Sequence, residues 1–108
     1  MLKNYLAELK NILSQLNPYK AVLFGSSVRG EINDDSDIDL IVVLNKNQMP
    51  QNFDERIKNY SSVKNYFRSL KSKVPMDLIV YTIPEWEHFL EADNSFTRDV
   101  LEKGSFLV

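Results

Sequence analysis

The chain has 108 residues, enough for one hydrophobic core and too few for a second, so we predict a single domain over residues 1–108. A net charge of −2 argues against general attraction to nucleic acid, and the absence of cysteine excludes disulfides, thiolate metal sites and a cysteine nucleophile. The sequence has no export signal and no continuous apolar stretch long enough to span a membrane. We therefore expect a cytoplasmic protein without a membrane partner.

The first half of the chain predicts one helix followed by two strands. Apolar residues from Leu2 to Leu16 recur at helical spacing, and Asn17-Pro18 ends that pattern. Tyr19 to Phe24 is a short apolar run closed by Gly25, which favours a buried strand. Asp37 to Leu44 is β-branched and apolar apart from its two aspartates, as expected of a central strand buried on both faces.

The second half begins with a predicted amphipathic helix. Its apolar stripe consists of Phe53, Ile57, Tyr60, Phe67 and Leu70. Pro75 then separates this helix from a third strand, Met76 to Tyr81.

The C-terminal part predicts two more helices. Thr82 to Glu85 has the form of a capping box, so a short helix is expected from there to about Asp93. Asn94 or Ser95 caps a final helix, Phe96 to Lys103, which Gly104 ends, and Ser105 to Val108 is predicted to form an edge strand. This order of elements predicts an α/β (α+β) fold, a small mixed sheet covered by helices.

The turn after the first strand has the features of a phosphate site. Gly25 has no side chain, so the backbone can approach a phosphate closely. Ser26 supplies a hydroxyl donor and Arg29 a positive charge, and a short helix starting at Ser26 would point free amides at the anion. These residues are the predicted nucleotide-binding group.

Three aspartates form the predicted metal site. Side chains alternate along a strand, so Asp37 and Asp39 project from the same face, where a shared divalent cation would relieve their repulsion. Hard oxygen ligands select magnesium or manganese. Asp77 lies at the start of the third strand, as Asp37 lies at the start of its own. Adjacent pairing of these strands would therefore join the three carboxylates into a two-metal catalytic site.

The combined motif resembles a known signature. Gly25-Ser26, Arg29-Gly30 and Ser36 to Leu40 are similar to the motif of the DNA polymerase β-like nucleotidyltransferase superfamily, and the short length resembles its minimal nucleotidyltransferase branch. The resemblance implies that fold, dependence on Mg²⁺, and transfer of a nucleoside monophosphate from a triphosphate such as ATP to a hydroxyl. It implies that Gly25 and Ser26 bind the triphosphate and that Asp37 and Asp39 hold both metals. Asp77 would complete the second metal site and help to deprotonate the acceptor.

Minimal members of the superfamily often act as the antitoxin of a small HEPN ribonuclease, in some cases by transferring AMP to a tyrosine of that toxin. The resemblance thus implies a HEPN-family protein as partner in a hetero-oligomer. Larger relatives hold their acceptor with a further domain, for which this chain has no residues left. Two alternatives stay open: a binding module that neutralises the partner by occlusion, and a nucleotidyltransferase acting on a small molecule or an RNA end.

Other residues are assigned no site. The basic residues of the second helix are predicted to be solvated, so a nucleic-acid partner is not expected. Trp86, Phe89 and Phe96 are predicted to be core or partner surface and not a platform for base stacking. Tyr60, Tyr66 and Tyr81 are candidate nucleobase contacts among which the sequence does not choose.

Overall fold

The computed structural model describes residues 2–25 and 38–108. In chain order its elements are α1 (Leu2–Leu16), β1 (Lys20–Phe24), β2 (Ile38–Val43), α2 (Phe53–Tyr66), α3 (Arg68–Lys71), β3 (Met76–Tyr81), α4 (Ile83–Ala92), α5 (Ser95–Lys103) and β4 (Ser105–Phe106). Within these residues, no helix is both long enough and apolar enough to cross a membrane.

The four strands of the described residues form one mixed sheet in the order β3-β2-β1-β4. β1 runs antiparallel to both β2 and β4, whereas β2 and β3 are parallel and are joined through α2 and α3. A parallel pair needs such a crossover, because the chain must return to the same end of the sheet. The predicted α/β class, with a small mixed sheet covered by helices, is confirmed, as is the edge strand that begins at Ser105.

Each face of the sheet is covered by its own set of helices. Even-numbered residues of β2, such as Leu40 and Val42, pack with α1, α2 and α3 in one hydrophobic cluster. The odd-numbered Ile41 and Val43 pack in a second cluster with Trp86 of α4 and other residues of α4 and α5. This separation follows from the two-residue alternation of side chains along a strand. We call the second side the α4–α5 face.

The predicted second helix differs from the observed one in two respects. It is divided at Phe67, whose backbone leaves the helical region (φ −99°, ψ 6°), into α2 and α3. Its predicted apolar stripe is also wrong at the N-terminal end, where Phe53 is 72% exposed and Ile57 is 47% exposed. Tertiary packing instead turns Asn59 and Val63 inward, and the Lys46 Nζ donates a hydrogen bond to Asn59 Oδ1 (2.9 Å).

The ends of the C-terminal helices follow their local sequence signals. At the start of α4 the Glu85 half of the capping box is formed: the Thr82 N–H donates to Glu85 Oε1 (3.0 Å). Asn94 caps α5 by accepting from the Thr97 N–H (2.9 Å), which leaves Ser95 as the first helical residue. Gly104 ends α5 in an extended conformation.

Close packing explains the glycine at position 104. A Cβ built there would lie 2.9 Å from Val22 Cγ1 and 3.1 Å from the Leu23 carbonyl oxygen. Gly104 therefore lets the end of α5 approach β1 before the chain enters β4.

Candidate active site

Two of the predicted carboxylates lie side by side on neighbouring strands. The parallel register of β2 and β3 pairs Asp39 with Asp77, and the same register pairs Ile41 with Ile79. Ile41 and Ile79 both pack on the α4–α5 face, and each aspartate precedes its isoleucine by two residues. Asp39 and Asp77 therefore share the α4–α5 face, on strands about 4.8 Å apart.

The two carboxylates differ in exposure. Asp39 is half-buried in the central part of the sheet, whereas Asp77 is exposed on β3, the end strand of the sheet. Paired anionic side chains at this spacing repel each other unless positive charge lies between them. Their donor set, carboxylate oxygens alone, fits a hard divalent cation such as magnesium.

Gly25 is placed directly against the Asp39 carboxylate. Phe24, the residue before it, pairs with Asp39 across the β1–β2 ladder. Gly25 itself has a φ of +80°, and a Cβ built on it would overlap the Asp39 carboxylate oxygen and lie 3.1 Å from Asp39 Cγ. Both the positive φ and the lack of room for a Cβ therefore require glycine at this position. The predicted phosphate turn thus begins next to the carboxylate pair.

The predictions for Ser26, Arg29 and Asp37 lie outside the described residues. Among residues 2–25 and 38–108 no group of three acidic, histidine or cysteine side chains is placed to hold a metal. The described pair, Asp39 and Asp77, needs a third ligand from elsewhere, and the sequence offers Asp37 for it. That role of Asp37 stays a prediction.

Two residues near the carboxylates carried no functional prediction. Phe24 is the cross-strand partner of Asp39, and its ring meets that of Phe96 from α5 edge-on, with the ring centroids 5.6 Å apart. No local pattern predicts this contact, because Phe24 and Phe96 are far apart along the chain. Only the docking of α5 against β1 brings them together.

The family comparison agrees with this geometry. Residues 6–106 match the model of the nucleotidyltransferase domain family of the polymerase β-like superfamily, so the chain belongs to that family. Its members generally use a nucleoside triphosphate and Mg²⁺, and nucleotidyl transfer is the general activity of the domain. A search of curated proteins found no match.

Proposed function

We propose that the chain is a magnesium-dependent adenylyltransferase that moves AMP from ATP to a tyrosine hydroxyl of a HEPN ribonuclease toxin, and that it thereby acts as the antitoxin. The pairing of Asp39 with Asp77 beside Gly25 is the observation that carries the proposal. It provides two carboxylates of different exposure next to a glycine whose backbone carries no side chain. Family membership supports the transfer chemistry, and the choice of ATP and of a protein acceptor goes beyond it.

At the α-phosphorus of ATP, the reaction forms one bond and breaks one. The acceptor oxygen attacks the α-phosphorus of ATP, the bond from that phosphorus to the oxygen bridging to the β-phosphate breaks, and pyrophosphate leaves with the bonding electrons. Asp77 is the exposed carboxylate of the pair and accepts the proton of the attacking hydroxyl. Asp39, half-buried against Gly25, lies beside the proposed position of the triphosphate.

Magnesium fits the same carboxylates. Asp39 and Asp77, with Asp37 as the proposed third ligand, would hold the ion, which when bound offsets the negative charge on the reacting phosphate and on the leaving pyrophosphate. Because these side chains are anionic, binding of triphosphate without a divalent cation is expected to be weak.

The surface of α2 supports a protein partner. Phe53 and Ile57 lie one helical turn apart and are both largely exposed, so they present adjacent apolar side chains to solvent. This surface also favours the second candidate function, neutralisation by occlusion, in which the partner is bound and no group is transferred.

Labelled ATP distinguishes the two candidates. The protein, purified with its partner, is incubated with Mg²⁺ and α-labelled ATP, beside Asp39→Asn and the control Asp93→Asn, which removes an exposed charge that is paired with Arg98. We expect label on the partner with the wild type and the control, and none with Asp39→Asn. Neutralisation that persists in Asp39→Asn without any label would establish occlusion instead. Label found on RNA or on a small molecule would refute the protein acceptor.

Asp77→Asn tests the proposed division of labour. Because Asp77 is placed on the acceptor side, the substitution should slow transfer at saturating ATP more than it weakens ATP binding. Single-turnover rates and equilibrium binding measure the two effects separately. Equal losses in both quantities would show that Asp77 has no distinct role towards the acceptor.

A further inference from the structure

A row of four aromatic rings lies on the α4–α5 face. Trp86 stacks on Phe89 (centroids 5.2 Å apart), Phe89 meets Phe96 edge-on (5.6 Å), and Phe96 meets Phe24 edge-on (5.6 Å). These are the offset and edge-on arrangements that aromatic pairs prefer. The row therefore runs from the hydrophobic core to Phe24 at the end of β1.

The Phe24 end of this row lies beside Asp39. Phe24 is opposite Asp39 in the β1–β2 ladder, so the two side chains share one face of the sheet. Phe96 contacts the ring of Phe24. A triphosphate held beside Asp39 through a divalent cation would thus have this aromatic surface on the same face of the sheet.

Phe96 differs from the other rings of the row in its exposure. Trp86 is 5% exposed and Phe89 is 9% exposed, as expected of core residues, whereas Phe96 is 42% exposed. One part of the Phe96 ring is held by its two neighbours, and the rest is open to solvent. An exposed ring fixed in position is the kind of surface on which a planar base stacks without a large loss of conformational entropy.

The backbone around Phe96 is also held in place. Asn94 caps the helix one residue before its start, and the Thr97 hydroxyl donates a hydrogen bond to the Phe89 carbonyl oxygen (3.0 Å). The cap fixes the start of α5 just before Phe96, and the second hydrogen bond joins α5 to α4 directly after Phe96 in sequence. The position of the ring is thus set by the fold and not only by its own packing.

The tyrosines that the sequence offered as base contacts are less well placed. Tyr60 and Tyr66 lie on α2, which packs on the opposite face of the sheet. Tyr81 is on the α4–α5 face but stands four residues beyond Asp77 along β3, a distance of roughly 13 Å. Phe96 is therefore the better candidate.

We propose that Phe96, supported by Phe24, is the surface on which the base of the nucleoside triphosphate stacks, and that it sets the affinity for a nucleotide over a bare polyphosphate. This inference rests on the proposed function, because it requires a triphosphate bound at Asp39. It reverses the expectation from sequence that Phe96 is only core or partner surface.

Calorimetric binding of ATP and of inorganic tripolyphosphate, each with Mg²⁺, tests the proposal. Phe96→Leu keeps an apolar side chain but removes the aromatic face, and it should weaken ATP binding by about 5- to 150-fold. Tripolyphosphate has no base, so its affinity should not change. Phe96→Tyr should bind ATP as the wild type does. Leu101→Ala, at a position of α5 with similar exposure, should leave both affinities unchanged.

Each result has a defined meaning. Equal weakening of ATP and tripolyphosphate binding by Phe96→Leu would show that the substitution distorts the phosphate site, and the stacking role would be wrong. Unchanged ATP binding in Phe96→Leu would overturn this inference while leaving the proposed function intact. Failure of the wild-type protein to bind either ligand would instead refute the proposed function, and the inference with it.

Discussion

A methyl group added at Gly25 should impair catalysis far more than it impairs folding. The backbone there has a φ of +80°, which costs a residue with a side chain about 1–2 kcal/mol. The added Cβ would also overlap the Asp39 carboxylate. That carboxylate is the end of a flexible side chain, so the overlap is relieved by turning the carboxylate away and not by moving the backbone.

Rotation of the carboxylate has a different consequence for activity. Asp39 would no longer present its oxygens in the native direction, and misplacement of a catalytic group by about 1 Å costs roughly 100-fold in rate. We therefore expect Gly25→Ala to lose about 1–2 kcal/mol of unfolding free energy and roughly 100-fold in nucleotidyl transfer. Urea unfolding and single-turnover transfer, normalised to folded protein, measure the two losses.

Gly104→Ala is the matched control. Its Cβ would meet the backbone carbonyl oxygens of Val100 and Leu23, which cannot rotate away. Its loss of stability should be about 1–3 kcal/mol, at least as large as that of Gly25→Ala, while transfer per folded molecule stays close to wild type. Wild-type transfer by Gly25→Ala would contradict the role given to the contact between Gly25 and Asp39. The same holds if both variants lose activity only in proportion to their loss of stability.

Three further predictions concern the fold. Phe67 is only 1% exposed, so Phe67→Ala should lower the free energy of unfolding in urea by about 3–5 kcal/mol. Phe53→Ala should change it by no more than about 0.5 kcal/mol. Similar losses of unfolding free energy in the two variants would contradict the observed burial of these side chains. Glu85→Ala should cost about 1–3 kcal/mol because it leaves a buried N–H without its acceptor, and the exposed control Glu87→Ala should be neutral. Burial, and secondarily the charge of Glu85, raises the pKa of Tyr81 above its ordinary value of 10.0, so stability should fall as pH rises past about 10. Tyr81→Phe should lessen that fall in unfolding free energy measured across this pH range; an unchanged slope would contradict the assignment.

Local signals explain why most elements could be predicted. The capping box at Thr82 and Glu85 and the cap at Asn94 involve residues three apart, so the sequence contains both partners of each hydrogen bond. The strands were recognisable because apolar, β-branched runs are bounded by turn residues.

Helix periodicity was insufficient for α2. Its polar and apolar residues do not separate cleanly around the helix, so spacing alone favoured a stripe that included Phe53 and Ile57. The structure exposes both and turns Asn59 inward, where Lys46 provides its hydrogen-bond partner. That partner comes from the loop after β2, which a pattern within the helix does not reveal.

Patterns within single strands and turns predict the face of the sheet on which Asp39 lies and the need for glycine beside it. Alternation along a strand places Asp39 on the same face as Ile41, and the +80° φ of Gly25 suits the one residue that lacks a side chain. The pairing of Asp39 with Asp77 and the contact of Phe96 with Phe24 are visible only in the folded domain. Both contacts join residues distant in the chain, and they are fixed by strand register and by the docking of α5, which depend on packing of the whole domain.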